Sequence, residues 1–352
     1  MAYLTQLEPD ALIAHFLAHP PQGFSAGRLP SGLPAFRAPF DLLTTADDTL
    51  RRRVASLPLY RHWGRALRWS TRFVGSTVTE YAPLPDAAPD ALADEVLRTC
   101  GRDAPLLIVK DLPQASPLLD AAANAHAEAF AAALAARGFV LLEGMALAWV
   151  PIDFAGEDDY LARLSASRRK DIRRKLRARE GLDIACLPTG SPCFDDEGVL
   201  AQHYALYRQV YAQSEVHFDL LGEDFFRAVL RDGASGGLVF TYRHVGELIG
   251  WNLCYEYAGM LVDKYVGFAY PQAREHNLYF VSWMHNLEHA RRRGLGHYVA
   301  GWTDTRIKQY LGARLSMTRH AVYLRQPWLR ALLRRLAHRF EGEAASPARE
   351  DA

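Results

Sequence analysis

The chain is 352 residues long, 49% hydrophobic and 23% charged, with a formal net charge of +1, which is room for two soluble domains of about 150–200 residues each. Its longest apolar run, Gly138–Val150, is broken by Glu143 and falls short of the roughly 18 residues that cross a bilayer, and Met1–Thr5 lacks the features of a secretory leader, so a cytoplasmic location is expected. Cys100, Cys186, Cys193 and Cys254 show no C-x-x-C pair and no histidine at ligand spacing, which argues against a disulfide framework and against a metal site.

A short opening helix is followed by proline and glycine between Pro20 and Pro39 and by an extended segment, Leu33–Leu43. Apolar and β-branched runs at Arg72–Tyr81, Leu106–Lys110 and Phe139–Val150 predict strands. Asp86–Thr99 and Pro117–Arg137 predict helices, with Gly101 and Gly138 just past their ends. Residues 1–155 thus read as one α/β domain, with the boundary in the polar stretch Asp153–Asp159. The second domain, residues 156–340, opens with a basic helix, Tyr160–Glu180. A strand near Leu182–Leu187 and helices at Glu197–Gln213 and Asp224–Arg231 come next. Leu238–His244, Leu248–Tyr257 and Met260–Tyr270 then form an antiparallel meander, turned at Val245-Gly246 and Ala258-Gly259. A helix over Leu278–Arg293, a strand over His297–Trp302, a helix over Thr305–Leu311, a strand over Ser316–Leu324 and a helix over Pro327–Phe340 complete it, and residues 341–352 read as a disordered tail. The class is α/β (α+β), with a mixed, mostly antiparallel sheet and helices on both faces. Ala133–Gly144 and His289–Gly301 share the order helix end, Arg-Gly stop, strand, glycine, which hints at a duplicated core.

Charge is unevenly spread. Leu161–Arg179 carries nine basic residues against Asp171 alone, and Arg291–Arg339 has Asp304 as its single acid; such blocks favour an anionic partner, whether cofactor phosphate, RNA backbone or lipid headgroup. Projected as one helix, Tyr160–Glu180 aligns Leu161, Leu164, Ile172 and Leu176, with Ser165 and Arg168 inside that apolar face. Arg168 and Arg169 are therefore candidates to hold a phosphate or carboxylate, or else they are structural. Arg291–Gly296 fits an R-x-x-G-x-G pyrophosphate-loop pattern, but it ends a helix instead of starting one, so Gly294 reads as a C-cap. Where such a loop belongs, between a strand and the next helix, Tyr270–Asn277 contains no glycine; Tyr270, Arg274 and Asn277 remain as candidate phosphate contacts.

Gly301–Gly312 places an acid, a lysine and a phenol within about two helical turns, at the C-terminal end of a strand. Acylation of an amine needs a proton acceptor and groups that stabilise an oxyanion. Asp304 could serve as the first and Lys308 or Tyr310 as the second, although Asp304 also fits a helix N-cap. Glu256, which with Asp263 flanks the Ala258-Gly259 turn and shares a strand face with Asn252 and Cys254, is a second candidate base. His217, Trp251 and Trp302 are candidates for an acceptor pocket.

The run Tyr160-Leu161-x-x-Leu164-Ser165-x-Ser167-Arg168-Arg169-Lys170-x-Ile172-Arg173-Arg174, a Tyr-rich stretch closing in Phe225-Phe226, and Gly301…Lys308-x-x-Leu311-Gly312 followed by His320 resemble the FemAB-like, peptidoglycan-biosynthesis-type acyltransferases of the GNAT fold. The resemblance covers Asp158–Leu324. It implies tandem GNAT-like domains, the first degenerate, and transfer of an acyl or aminoacyl group to an amine, with Lys308 as the lysine of the late block. It also implies a donor co-substrate, acyl-CoA or aminoacyl-tRNA, with no permanently bound cofactor. Trp302-Thr303-Asp304 departs from the family's glycine-rich tract, and the coiled-coil insertion of peptidoglycan bridge-forming enzymes is missing. Direct attack of a small-molecule or peptide amine on acyl-CoA is the leading expectation. The alternatives are a tRNA-dependent aminoacyltransferase and a non-catalytic module touching an anionic membrane through Leu329, Leu332, Leu333, Leu336 and Phe340.

Overall fold

A computed structural model of the chain describes residues 3–42, 52–53, 56–57, 64–214 and 217–337. In chain order these form α1 (Asp10–Ala18), β1 (Ser25–Arg28), β2 (Pro34–Asp41), β3 (Arg68–Val74), α2 (Pro89–Cys100), β4 (Leu106–Pro113), α3 (Ala121–Ala136) and β5 (Val140–Pro151). Then come α4 (Glu157–Ala162), α5 (Ala166–Leu176), β6 (Asp183–Pro188), α6 (Glu197–Gln213), α7 (Glu223–Arg231), β7 (Gly237–His244), β8 (Glu247–Tyr257) and β9 (Met260–Phe268). The last are α8 (Gln272–Glu275), α9 (Leu278–Arg292), β10 (His297–Gly301), α10 (Thr305–Tyr310), β11 (Arg314–Leu324) and α11 (Pro327–Leu336).

The described residues divide into two units interleaved along the sequence. The first lies within Met1–Gln6, Gly23–Ala146 and Ser316–Ala352, the second within Leu7–Gln22 and Leu147–Leu315. The division differs from a single cut at Asp153–Asp159, because α1 joins the later half, β11 joins the earlier one, and β5 contributes to both. The expected tail and the end of the helix beyond Leu336 and Ala337 lie outside the described residues.

Within the first unit the strands run β1-β2-β3-β4-β11, followed by the opening residues of β5. Only β3 and β4 among the registered pairs are parallel. Leu92 and Val96 of α2 and Phe130 and Leu134 of α3 close a core over Leu107 and Val109 of β4. Within the second unit the order is β5-β10-β9-β8-β7-β6, with β9 and β10 the parallel pair. Trp251 donates from Nε1 to the carbonyl of His203 on α6 (2.9 Å), whereas the next residue of β8, Asn252, donates to Asn286 on α9 (3.1 Å). Adjacent strand residues point to opposite faces, so α6 and α9 cover the two sides of the sheet.

The two-residue hairpin turns hold Val245 and Gly246 at φ 49° and 81°, and Ala258 and Gly259 at 46° and 76°. Positive φ at both positions matches the twist of the flanking strands, and in each turn glycine takes the second place. The duplicated pattern is strand, helix, parallel strand: β3-α2-β4 in one unit and β9-α9-β10 in the other. The counterpart of the α9–β10 junction is therefore α2–β4, not the α3–β5 junction that the sequence echo selects. Parallel pairing stops at Val74 with Val109 and at Val262 with Val299. Beyond Val262, β9 keeps its antiparallel partner β8, which leaves an opening between β9 and β10 that starts at Asp263.

The basic helix is two helices. α4 stops at Ala162, and Ser165 caps α5, its hydroxyl accepting from the Arg168 amide (3.4 Å). That break invalidates the continuous projection. Ile172 and Leu176 are buried, but Ser165 and Arg168 are exposed and Leu164 is half-buried.

Candidate active site

Asp263 is the first residue of β9 past the parallel pairing, and polar side chains from three other elements donate to it. Tyr298 of β10 donates from its hydroxyl to Oδ2 (2.9 Å), Asn286 of α9 donates to the same oxygen (2.9 Å), and Asn252 of β8 donates to Oδ1 (3.4 Å). Tyr242 of β7 donates to the Asn252 carbonyl oxygen (2.9 Å), fixing which way that amide points. Each of these positions is otherwise apolar territory: Tyr242, Asn252, Asn286 and Tyr298 are all at most 1% exposed. A polar network at this depth is stabilising only when its members are satisfied, and this one is built around a carboxylate as the common acceptor.

Burial pushes the Asp263 carboxyl up to about 6, against the opposing pull of its hydrogen bonds and of the Lys308 charge. Lys308 reaches the opening from α10. It is 6% exposed, and its ammonium lies 3.9 Å from the point where a Cβ on Gly301 would stand. Gly301, at φ 77°, ends β10 and leaves that space to the ammonium. Tyr279, at the start of α9, has its phenol raised first by burial and then by the negative charges of Asp304 and Asp263.

The remaining sequence candidates are distributed as follows. Asp304 is exposed at φ 55°, in the cap position of α10 but with no side-chain cap bond. Tyr310 donates to Asp171 Oδ2 (2.9 Å), under the guanidinium of Arg168 at 5.7 Å from its ring. Glu256 is held by Arg293 (2.9 Å) and His289 (2.8 Å), an arrangement that keeps its carboxyl below the usual range. Hence Glu256 sits in an ion-pair cluster outside the Asp263 network. His217 is exposed against the ring of Tyr211 (5.0 Å), and Trp302 is half-buried after β10. Trp251 is wholly buried in the core and offers no surface to an acceptor: it packs edge-on to Phe226, and Gly267 makes room for its indole.

Around Tyr270 the loop is closed upon itself. The amides of Ala273, Arg274, Glu275, His276 and Asn277 all bond to carbonyls of the same turn, Ala269 bonds to Ile249 and Tyr270 bonds to Gln209 Oε1. Arg274 lies over the Tyr270 ring (5.2 Å) and donates to Gln213 (2.7 Å), and Asn277 stands at φ 49° before α9. Arg168 and Arg169 project from α5. With Lys170 and Arg177 they form no ion pair with a described residue, unlike Arg163, Arg173, Arg174, Lys175 and Arg179, which do.

Sequence reasoning named Asp263 and Asn252 only as neighbours of Glu256, and it missed Asn286 and Tyr298. The signal was present in two places, an acid in the middle of Leu261-Val262-Asp263-Lys264-Tyr265-Val266 and an amide within the apolar face of α9. It becomes readable only once the register sets Cys254 opposite Asp263.

The family described as an acetyltransferase (GNAT) domain matches residues 166–310, the span that contains α5, the meander, the opening and Lys308. Among solved structures the chain is similar to L-PGS from Bacillus licheniformis (TM-score 0.53, 11% identity, 94% of this chain and 98% of that one). It is similar also to FemX (0.52, 11%, 93% and 98%). A third is the C-terminal domain of an Agrobacterium fabrum protein assigned as a lysylphosphatidylglycerol synthetase (0.50, 15%, 88% and 88%). At these identities the likeness is one of fold. No curated protein matches the chain in sequence.

Proposed function

We propose, for a chain whose residues 166–310 are a GNAT acetyltransferase domain and which is an acyltransferase, that Asp263 and Lys308 are the centre of acyl or aminoacyl transfer to an amine. Asp263 takes the proton of the attacking ammonium. The amine nitrogen bonds to the donor carbonyl carbon, the Lys308 ammonium stabilises the negative oxygen of the tetrahedral adduct, and the bond to the donor's leaving oxygen or sulfur breaks. The leaving group departs with the proton that Asp263 received, and the second proton of the nitrogen is released to solvent as the adduct collapses to the amide. Asn252, Asn286 and Tyr298 hold the carboxylate in place by donating to it, and Asp304 acts from the rim, where it favours a cationic acceptor. The observation that carries the reading is the convergence of donors from three elements on one carboxylate at the point where β9 and β10 part.

The loop at Tyr270 favours an aminoacyl-tRNA over acyl-CoA as donor. A pyrophosphate is held by free backbone amides in a glycine-bearing loop before a helix; here Tyr270–Asn277 contains no glycine, and the amides of Ala273 through Asn277 are taken by carbonyls of their own turn. The cations of α5 without acidic partners supply instead what a nucleic-acid backbone requires. Incubation with aminoacyl-tRNA or with acyl-CoA and a panel of amines, read by mass spectrometry, tests both points. Transfer from tRNA that falls steeply with salt is expected. Lys308→Met should lower kcat by about 10²–10³ while the melting temperature holds. Undiminished turnover in that variant would discard the assignment of the centre, and transfer from acyl-CoA alone would discard only the donor.

A further inference from the structure

α11 presents two large apolar side chains, Trp328 and Leu332, on the face opposite its docking contacts. Arg330 lies over the Tyr323 ring (4.4 Å), Arg334 donates to the Gly138 carbonyl (3.4 Å), and Leu329 and Leu333 are half-buried. The opposite arc carries Trp328, Ala331, Leu332 and Arg335, within about 100° at helical spacing. All four are exposed: Trp328 is 66% accessible and Leu332 46%, one turn apart. Isolated exposed apolar residues need no explanation, but an indole and an isobutyl group side by side with a cationic rim do. Arg325, at the entry to the helix, and Arg335 are exposed on that rim, and no acid occurs from Thr305 to Arg339.

An occupant must therefore be negatively charged where it meets the arginines and apolar where it meets Trp328 and Leu332. A bilayer of anionic lipid has that layering: phosphates outside, acyl chains within, and a boundary region that suits an indole. A surface contact is also what the length of the helix allows, since no helix among the described residues is long and apolar enough to cross a membrane. We propose that this face of α11 seats on anionic membrane surface. Trp328 and Leu332 enter the boundary between headgroups and acyl chains, and Arg325 and Arg335 meet the lipid phosphates. The inference is independent of the transfer centre, because no residue of that centre belongs to α11.

Flotation of the full chain with vesicles tests it, using phosphatidylcholine alone and a mixture of phosphatidylcholine with phosphatidylglycerol. Binding to the mixture and not to the neutral vesicles is expected, weakening as salt rises. Trp328→Ser with Leu332→Ser should reduce binding about tenfold or more. Arg325→Gln with Arg335→Gln, at about fivefold per arginine, should reduce it about twenty-five-fold. Because these side chains are exposed, both variants should melt with the wild type. Brominated lipid gives a second reading without either variant: it should quench wild-type fluorescence more than that of Trp328→Phe. No binding to the anionic mixture, equal binding by the variants, or equal quenching would overturn the proposal. So would sedimentation showing a dimer that the Trp328/Leu332 variant dissolves, since the face would then belong to a second copy.

Discussion

Asp263 is a carboxyl whose ordinary range is about 3.9 and whose place in the fold raises it to about 6. As a base it works only when ionised, so kcat/KM should climb with pH through about 6 and level off above. Asp263→Asn should be slow and lack that rise; a wild-type profile flat between pH 5 and 7 would rule the base out. The same shift has an opposite consequence for stability. The folded chain prefers the protonated acid, so this contribution is complete below the unfolded value and is lost as pH rises through about 6. Gly267 makes a separate demand: a methyl group there would stand 2.2 Å from Trp251 Nε1. Gly267→Ala should cost about 1–3 kcal/mol in chemical denaturation. Sequence alone showed the glycine in its strand but not the indole beside it. It also could not tell Glu256 from Asp263. Both acids lie near one hairpin, and only three-dimensional contacts show the first neutralised by Arg293 and His289 and the second facing the opening.

At the scale of elements, the strands and helices follow their patterns closely, and the errors arise where a side chain competes with the periodicity. Ser165 caps α5 and splits a helix that charge and leucine spacing had joined, which is why Arg168 proved to be outside. Asp196 accepts from the amides of Gly198 and Val199 and starts α6 at the residue where the pattern starts it. The segment before α1 was legible only as a lead-in. Its Glu8 bonds to Lys264 of β9 at 2.9 Å, with the two side chains 0% and 4% exposed. Removing one member of such a pair strands a charge that has little water around it. Lys264→Met should therefore cost about 3–5 kcal/mol in urea unfolding, and adding Glu8→Gln should recover part of it. If the double variant is no better than the sum of the singles, the pair contributes nothing as a pair.

Across the whole molecule, a chain of this length and alternation predicts two α/β domains, and two units exist; their bounds were out of reach because chain order is a poor guide to which strand completes which sheet. β4 is completed on one side by β11, which follows it by some two hundred residues, and β10 by the last residues of β5. No hydrophobic pattern records that exchange, since a buried strand reads the same beside either neighbour. The exchange has a direct consequence for dissection. A cut at Ala155/Gly156 would leave residues 1–155 with β4 lacking β11, and residues 156–352 with β10 lacking β5 and β9 lacking Glu8 beneath Lys264. Each fragment would expose a row of unpaired backbone groups along a strand that is interior in the native sheet. Expressed separately, both fragments should be aggregated or show no cooperative melting transition, whereas co-expression should restore a soluble complex that melts as the intact chain does. A 156–352 fragment that folds cooperatively by itself, with dispersed amide signals in a nuclear magnetic resonance spectrum, would mean that the exchanged strands are dispensable and that the expected boundary at Asp153–Asp159 is the real one.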